Sequence, residues 1–301
     1  MNRVTGDTGC MPAGRFAPSP TGDLHLGNLR TALVAWLFAK HSGREFLIRI
    51  EDLDTGRSRP EFERQQLADL AALGVTSDGP VLRQSERLKL YEAAITRLTE
   101  AGLTYECFCT RREITEAPSA PHAPPGAYPG TCRDLTAGER AARHSKRPAA
   151  LRLRADVVSW TVEDLLHGEV TGDVDDLVVR RADGMHAYNL AVVIDDAAQD
   201  IDQVVRGDDL LASAPRQAYL ASLLGLPAVT YAHIPLALNV DGKRLAKRDG
   251  AVTLRDLSVE RARELIADSL NLPHGSAHEL LARFDPLRLP REPWTLDPRA
   301  F

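Results

Sequence analysis

Arg15-Phe-Ala-Pro-Ser-Pro-Thr-Gly-Asp-Leu-His-Leu-Gly-Asn28 reads as a short strand, a tight Pro/Gly loop and the first turn of an amphipathic helix running towards Lys40. A strand that feeds such a loop into a helix N-terminus makes a ready anion site. Unpaired backbone N–H groups and the positive end of the helix dipole both face the ligand. His25 stands where its imidazole reaches the same anion. Pro and Gly are also the punctuation of an ordinary βα turn, so the loop alone specifies a place rather than a chemistry.

Outward from that loop, Glu45-Phe-Leu-Ile-Arg-Ile-Glu-Asp52 reads as a buried parallel strand ending in carboxylates, with Glu51 at its end. Apolar positions then recur at helical spacing over 59–73 and 86–101. This alternation predicts an α/β doubly wound sheet, whose ligands sit at the carboxyl ends of the strands. Between 105 and 181 the pattern changes. A cysteine cluster, a helix over 136–144 and short β-like runs at 150–154 and 176–180 predict an inserted α+β subdomain. The α/β pattern returns with Tyr188-Asn-Leu-Ala-Val-Val-Ile-Asp-Asp196, then 203–209 and a helix through Leu224. Helical spacing over 259–270, a short helix near 277–284 and a Pro-rich tail follow. The expected division is a frayed 1–14, a nucleotide-binding fold in two halves (15–106 and 182–250), an insertion at 107–181, and a helical remnant at 251–301.

Composition agrees with that plan. A chain of 301 residues suits one large nucleotide-binding core with an insertion. Apolar content of 44% with 26% charged residues is that of a soluble globular protein. No apolar run approaches a membrane span, and the polar, Gly-rich start lacks a signal-peptide region, so the cytoplasm is the expected compartment. A formal charge of −5 argues against nucleic-acid binding by bulk electrostatics. Local clustering still permits it, and Arg111, Arg112, Arg133, Arg140, Arg143, Lys146 and Arg147 supply such a cluster. On charge alone a solvated basic helix face explains them equally.

Three of the four cysteines, Cys107, Cys109 and Cys132, fall in one window. A reducing cytoplasm disfavours a disulfide, and an odd number leaves one thiol over. Zinc takes four ligands in a tetrahedron, so three thiolates need one more donor. His122 is the conventional candidate. Tyr128 is the other, although a phenol of pKa ~10 needs the metal to promote its ionisation. The residues alone favour His122. Zinc here would be structural, pinning the Pro-rich loop 117–130, which carries too little apolar surface to fold by burial.

RFAPSPTGDLHLGNLRTAL strongly resembles the first signature of the class I glutamyl-type aminoacyl-tRNA synthetases, with HLGN in place of their HIGH box. Gly242-Lys-Arg-Leu-Ala-Lys-Arg-Asp-Gly250 resembles their KMSKS loop in its KLSKRDG form. The two motifs stand in the right order at a plausible separation, and the resemblance covers roughly 15–257. It implies a Rossmann-like parallel sheet and activation of L-glutamate by ATP, with Mg²⁺ accompanying the nucleotide. By resemblance His25, Gly27 and the helix start hold the phosphates, while Lys243 and Lys247 serve ATP, Lys247 neutralising the departing pyrophosphate. Arg15 and Arg206 face the glutamate side-chain carboxylate, with a hydrogen bond from Tyr188. Glu51 takes the ammonium group, beside Ser19, and Phe16, Ala17 and Pro18 complete the binding strand and loop. Structural alternatives are that Arg206 pairs with Asp208 or Asp209, that Tyr188 is core, and that Glu51 caps the surface.

The order Cys-x-Cys, long loop, Tyr-x3-Cys resembles the zinc site of the short glutamyl-Q tRNA(Asp) synthetases, which moves the fourth ligand to Tyr128. About fifty residues follow the second signature, too few for an anticodon-binding domain, and this also suits the truncated relatives. The resemblance therefore implies transfer of glutamate to the queuosine base at the wobble position of tRNA(Asp). The partner would be the anticodon arm, and the protein a monomer. A minimal glutamyl-tRNA synthetase charging a tRNA 3′ end and a catalytically silent RNA-binding paralogue are the alternatives. Two residues depart from the full-length pattern. Ala246 replaces a Ser of the loop, and Val192 replaces an Asn, which should remove a polar contact to the amino acid.

Overall fold

The computed structural model describes residues 11–116, 128–243, 245 and 252–296. The first half alternates as the sequence predicts: β1 (Ala13–Phe16), α1 (Leu26–His41), β2 (Glu45–Ile50), α2 (Pro60–Leu73), β3 (Leu82–Arg83) and α3 (Leu88–Glu100). Pro60 opens α2, where its missing N–H has no bond to lose, and Gly74 closes it at φ 91, a left-handed position that suits glycine. The middle carries β4 (Thr104–Cys107), α4 (Arg111–Glu116), α5 (Ala137–His144), β5 (Ala150–Leu153), β6 (Ser159–Asp164), β7 (Gly168–Asp173) and β8 (Val178–Arg180). Then follow α6 (Tyr188–Ala198), β9 (Ile201–Gly207), α7 (Ala214–Leu223), β10 (Thr230–Ile234), β11 (Ala237–Asn239), α8 (Val259–Ser269), α9 (Ala277–Leu281) and β12 (Trp294–Leu296).

The main sheet has seven strands in the order β3-β2-β1-β9-β10-β6-β7. All neighbours run parallel except the β6–β7 hairpin at one edge. The chain winds one way from β1 through β2 to β3, and β9 and β10 lie on the other side. The carboxyl ends of β1 and β9 therefore flank the topological switch point, where open α/β sheets leave a crevice. Strands β4, β5 and β8 form a separate antiparallel sheet. The hairpin β6–β7, although it lies between 107 and 181, joins the main sheet rather than that smaller one.

The first helix differs from its sequence reading. It is buried nearly all round rather than amphipathic, because the sheet covers one side and the C-terminal helices cover the other. Trp36 meets His278 edge-on at 5.3 Å between ring centroids, and Phe38 meets Phe284 at 5.4 Å. Arg30, only 2% exposed, ties this helix to its neighbours by donating to Ser269 Oγ (2.9 Å) and the Pro235 carbonyl (2.8 Å). Burial lowers its pKa to about 10.

The two halves are joined through α6. Asp195 is fully buried and accepts from Gln84 Nε2 (2.9 Å), Arg87 Nε (2.6 Å) and Tyr91 Oη (2.8 Å), with Arg49 Nε at 3.7 Å. Removing one partner of such a set strands the others in a dry interior. Asp195→Ala is expected to cost about 3–5 kcal/mol in urea unfolding. Tyr91→Phe, which removes one hydrogen bond to a charged group, is expected to cost about 1.5–3 kcal/mol. A smaller loss for Asp195→Ala than for Tyr91→Phe would refute this view of the junction.

Candidate active site

Within the loop after β1 Thr21 N donates to the Ser19 carbonyl (2.8 Å), Pro18 and Pro20 have no N–H to donate, and neighbours bind the loop carbonyls. The Pro18 carbonyl accepts from Glu51 N (2.9 Å), and that of Pro20 from Arg59 N (2.9 Å). Gln66, 1% exposed, donates through Nε2 to the carbonyls of Ser19 (3.0 Å) and Gly22 (2.6 Å). The loop leads to His25, the N-cap of α1. Its Nδ1 accepts from Asn28 N (3.2 Å), and its own N–H donates to Asn28 Oδ1 (3.4 Å). A ring that accepts at Nδ1 carries its proton on Nε2 when neutral. Gly27 permits this geometry. A Cβ there would lie 3.0 Å from the Ala237 Cβ and 3.1 Å from the His25 ring.

A cleft of about 450 Å³ opens at the switch point, lined by Arg15, His25, Glu51, Tyr188 and Arg206, with Phe16, Ala17, Pro18, Ser19 and Gly27. Arg15 donates to both oxygens of Asp196, through Nε (3.1 Å) and Nη2 (3.2 Å). Fully buried Arg49 donates to Asp196 Oδ1 (2.7 Å), Gln199 Oε1 (3.0 Å) and Glu51 Oε1 (3.4 Å). Burial raises the pKa of Glu51, with Arg49 and Arg15 opposing the rise. Glu51 is thus part of a buried network and not a surface cap. Tyr188 opens α6 at the cleft with 41% exposure, which is not a core position.

Arg206, 6% exposed at the end of β9, pairs with neither Asp208 nor Asp209. It donates to His233 Nε2 (2.9 Å), Gln217 Oε1 (2.8 Å) and the Leu210 carbonyl (3.3 Å). Among the described residues no carboxylate lies within ion-pair distance of it. A cation in the interior normally has an anionic partner. This one points at a cleft with only neutral ones. Val192 is 1% exposed and packs in the apolar cluster under α6, away from the residues that line the cleft.

Of the second signature, Lys247 and Ala246 lie outside the described residues. Lys243 is exposed, and Leu245 is buried in the main core. Beyond the signature the Val252 carbonyl accepts from Leu26 N (2.8 Å), and Thr253 bridges to His25. Both flanks of the second signature are therefore anchored, one of them directly on the first.

The family described as tRNA synthetases class I (E and Q), catalytic domain, matches residues 13–268. The chain belongs to that family. A glutamyl-Q tRNA(Asp) synthetase of Nocardia farcinica is 66% identical over 290 residues, covering 94% of this chain and 93% of that protein. One of Cutibacterium acnes is 52% identical, covering 89% and 79%. Among solved structures, a glutamate tRNA ligase of Elizabethkingia meningosepticum in complex with its amino acid superimposes with a TM-score of 0.79 at 29% identity. It covers 95% of this chain and 67% of that one. The fold is that of a class I synthetase with a mostly parallel central sheet.

In this family member the cysteine window also comes together. The sulfurs of Cys107, Cys109 and Cys132 lie within 4.8 Å of one another, Cys109 and Cys132 at 3.6 Å. The Tyr128 hydroxyl sits 3.3 Å from Cys107 Sγ and 4.0 Å from Cys109 Sγ. A tetrahedral site with Zn–S bonds of ~2.3 Å requires sulfur–sulfur edges of about 3.8 Å, so this donor set fits zinc in type and spacing. His122 lies outside the described residues. The guanidinium of Arg152 lies 3.7 Å from the Tyr128 ring centroid. Burial opposes ionisation of Cys107, yet the Tyr128 hydroxyl and Arg152 outweigh it and hold that thiol below its usual pKa.

Asp196, Arg49, Gln217 and His233 support the site but were not singled out from sequence. Arg49 carried a signal, a charged residue inside the apolar run Phe46-Leu-Ile-Arg-Ile50, and Asp195-Asp196 closes an apolar helix. Gln217 and His233 carried none. The close approach at Gly27 gives a contrast to test. Gly27→Ala is expected to destabilise by about 1–3 kcal/mol through overpacking. Gly138→Ala, on the open face of α5 with nothing within 4 Å of its Cβ position, is expected to stabilise by about 0.5 kcal/mol. Equal effects in denaturant titrations would show that the Gly27 contact is not tight.

Proposed function

We propose that this chain activates L-glutamate with ATP, without needing tRNA, and transfers it to the queuosine base at the wobble position of tRNA(Asp). The observation that carries this is Arg206, a buried cation facing the cleft whose partners among the described residues are all neutral. An anionic substrate would complete it. The 66% identity to a protein of that name over nearly the whole chain supports the same reading.

In the first step a glutamate α-carboxylate oxygen attacks the α-phosphorus of ATP. The bond to the bridging oxygen breaks, and pyrophosphate leaves with the electron pair. Charge builds on the phosphoryl oxygens and the leaving group, so positioning and electrostatic stabilisation do most of the work. His25, Gly27 and the start of α1 hold the phosphates, Lys243 binds ATP, and Lys247 neutralises the departing pyrophosphate; Mg²⁺ carried by the nucleotide would supply further positive charge. Arg15 and Arg206 take the side-chain carboxylate, for which planar guanidinium groups suit, and Tyr188 adds a hydrogen bond. Glu51 takes the ammonium group, beside Ser19 on the loop formed with Phe16, Ala17 and Pro18. In the second step a queuosine hydroxyl attacks the acyl carbon, AMP leaves, and the hydroxyl proton is lost.

Residues 15–106 and 182–250 act as the catalytic halves and 251–301 as a helical remnant, while 107–181 carries the RNA-contacting insertion. Arg111, Arg140 and Lys146 are exposed there. Arg133 is instead bound to Asp176 (2.6 Å), and Arg147 to Glu113 (2.9 Å). Phosphate contacts from the exposed set would make binding of the anticodon arm salt-sensitive. Cys107, Cys109, Tyr128 and Cys132 hold one structural zinc, which fixes the insertion where its own small core of Tyr105, Phe108 and these residues provides little burial. The reduced thiols suit the cytoplasm.

Two experiments test this reading. With labelled glutamate and ATP, an isolated queuosine-containing anticodon arm of tRNA(Asp) should be acylated about as well as the whole tRNA, and the same arm with guanine should be inert. Acylation of the terminal adenosine of tRNA(Glu), with none on the arm, would establish the minimal glutamyl-tRNA synthetase instead. For the metal, purified protein should contain about one zinc per chain, lost in Cys132→Ser. Full zinc in Tyr128→Phe together with loss in His122→Ala would transfer the fourth ligand to His122.

A further inference from the structure

We propose that His233, held by Asp164, is a positioning residue that orients the Arg206 guanidinium for the substrate's side-chain carboxylate and so contributes to discrimination between glutamate and glutamine. The inference rests on the reading of Arg206 as a carboxylate ligand.

Three neighbouring parallel strands set the row. In register, His233 on β10 lies beside Arg206 on β9, and Tyr231 on β10 lies beside Asp164 on β6. The carboxylate on β6, the imidazole on β10 and the guanidinium on β9 thus form a line across the sheet that ends at the cleft. Asp164 and His233 side chains are both fully buried. Asp164 Oδ2 accepts from His233 Nδ1 (2.6 Å) and from its backbone N–H (3.1 Å). Asp164 Oδ1 accepts from the amides of Leu166 (2.8 Å) and His167 (3.1 Å). Both oxygens are engaged. Burial disfavours the ionised carboxyl, but His233 and these amides hold its pKa below the usual range.

That arrangement selects one tautomer. With its proton on Nδ1 and directed at Asp164, the ring offers an Nε2 lone pair, and Arg206 Nε donates to it at 2.9 Å. The charged imidazolium has no such lone pair. Burial and the Arg206 charge hold the His233 pKa below its ordinary value, against the pull of Asp164. Arg206 is fixed at two further points, Gln217 and the Leu210 carbonyl, and its guanidinium carbon lies 5.3 Å from the Tyr231 ring centroid. Three of the five guanidinium N–H groups are thereby used, and two remain for the cleft. A carboxylate in the place of the imidazole would hold Arg206 equally well but compete with the substrate. A neutral imidazole backed by a carboxylate gives orientation without that competition.

A structural role for His233 predicts altered stability alone. A positioning role predicts a selective change. In ATP–pyrophosphate exchange, His233→Leu should raise the glutamate KM at least tenfold while the ATP KM changes less than threefold. The ratio of kcat/KM for glutamate over glutamine should fall at least tenfold. His233→Gln, whose amide can donate to Asp164 and accept from Arg206, should recover most of both. Asp164→Asn can donate to Nδ1 and turn the Nε2 proton against Arg206, so it should behave like His233→Leu and replaces it should the latter not fold. Unchanged glutamate KM and ratio in a folded His233→Leu or Asp164→Asn would overturn the proposal. Arg206→Lys separates the two claims. If it raises the glutamate KM while the other variants do not, only the role of His233 fails. If it leaves the KM unchanged, the reading of Arg206 itself fails.

Discussion

The ion-pair network around Asp196 connects fold and site. Burying Arg49 and Asp196 costs several kcal/mol per charge in desolvation. Their mutual contact at 2.7 Å, with Arg15, Gln199 and Glu51 adding hydrogen bonds, compensates for it. Burial alone would favour loss of the Arg49 proton, but the surrounding carboxylates outweigh it and keep the guanidinium charged. The network spans both halves of the chain. β1 and β2 supply the cations, and α6, more than a hundred residues later, supplies Asp196, the carboxylate that both of them bind. Arg15 consequently reaches the cleft already oriented, and the geometry of its fork is fixed by a helix that has no contact with it in sequence.

The two signature regions meet for a related reason. The loop after β1 has two prolines without N–H groups, and Gln66, Arg59 and Glu51 bind its carbonyls from elsewhere in the first half. The segment beyond Leu245 returns to the same place through Val252 and Thr253. A site assembled in this way takes its precision from regular elements. Pinning backbone carbonyls rather than side chains leaves the latter available to a ligand.

Much of the fold was legible because it follows periodicity. Apolar runs and helical spacing marked β2, α2 and α3, and the helix expected over 136–144 is α5, which the structure opens with a reciprocal capping box between Thr136 and Glu139. The family resemblance assigned Arg15, His25, Glu51, Tyr188 and Arg206 to one site, and they all line one cleft. Long-range pairing was not legible. Nothing local in Ser159–Asp164 shows that this strand adds to the main sheet beyond β10 rather than to its sequence neighbours. The same limit hid His233 and Asp164, each a single polar residue whose partner lies on another strand. Helix α1 looked amphipathic because a window cannot show that α8 and α9 cover its outer face. Val192 was expected to remove a polar contact to the amino acid, and helix geometry turns it into the core.

Arg206 has a consequence for how this protein can evolve. Among the described residues the contacts of this cation are all neutral, so the ligand-free fold carries a desolvation cost that no anion among them offsets. Selection for thermal robustness alone would therefore erode the pocket, and selection for the pocket keeps the fold below its attainable stability. Occupancy relaxes the conflict, since a ligand that binds only the folded state adds its own free energy to folding. Robustness in such a chain is partly a property of its surroundings, rising and falling with the concentration of the anion that the cleft accepts.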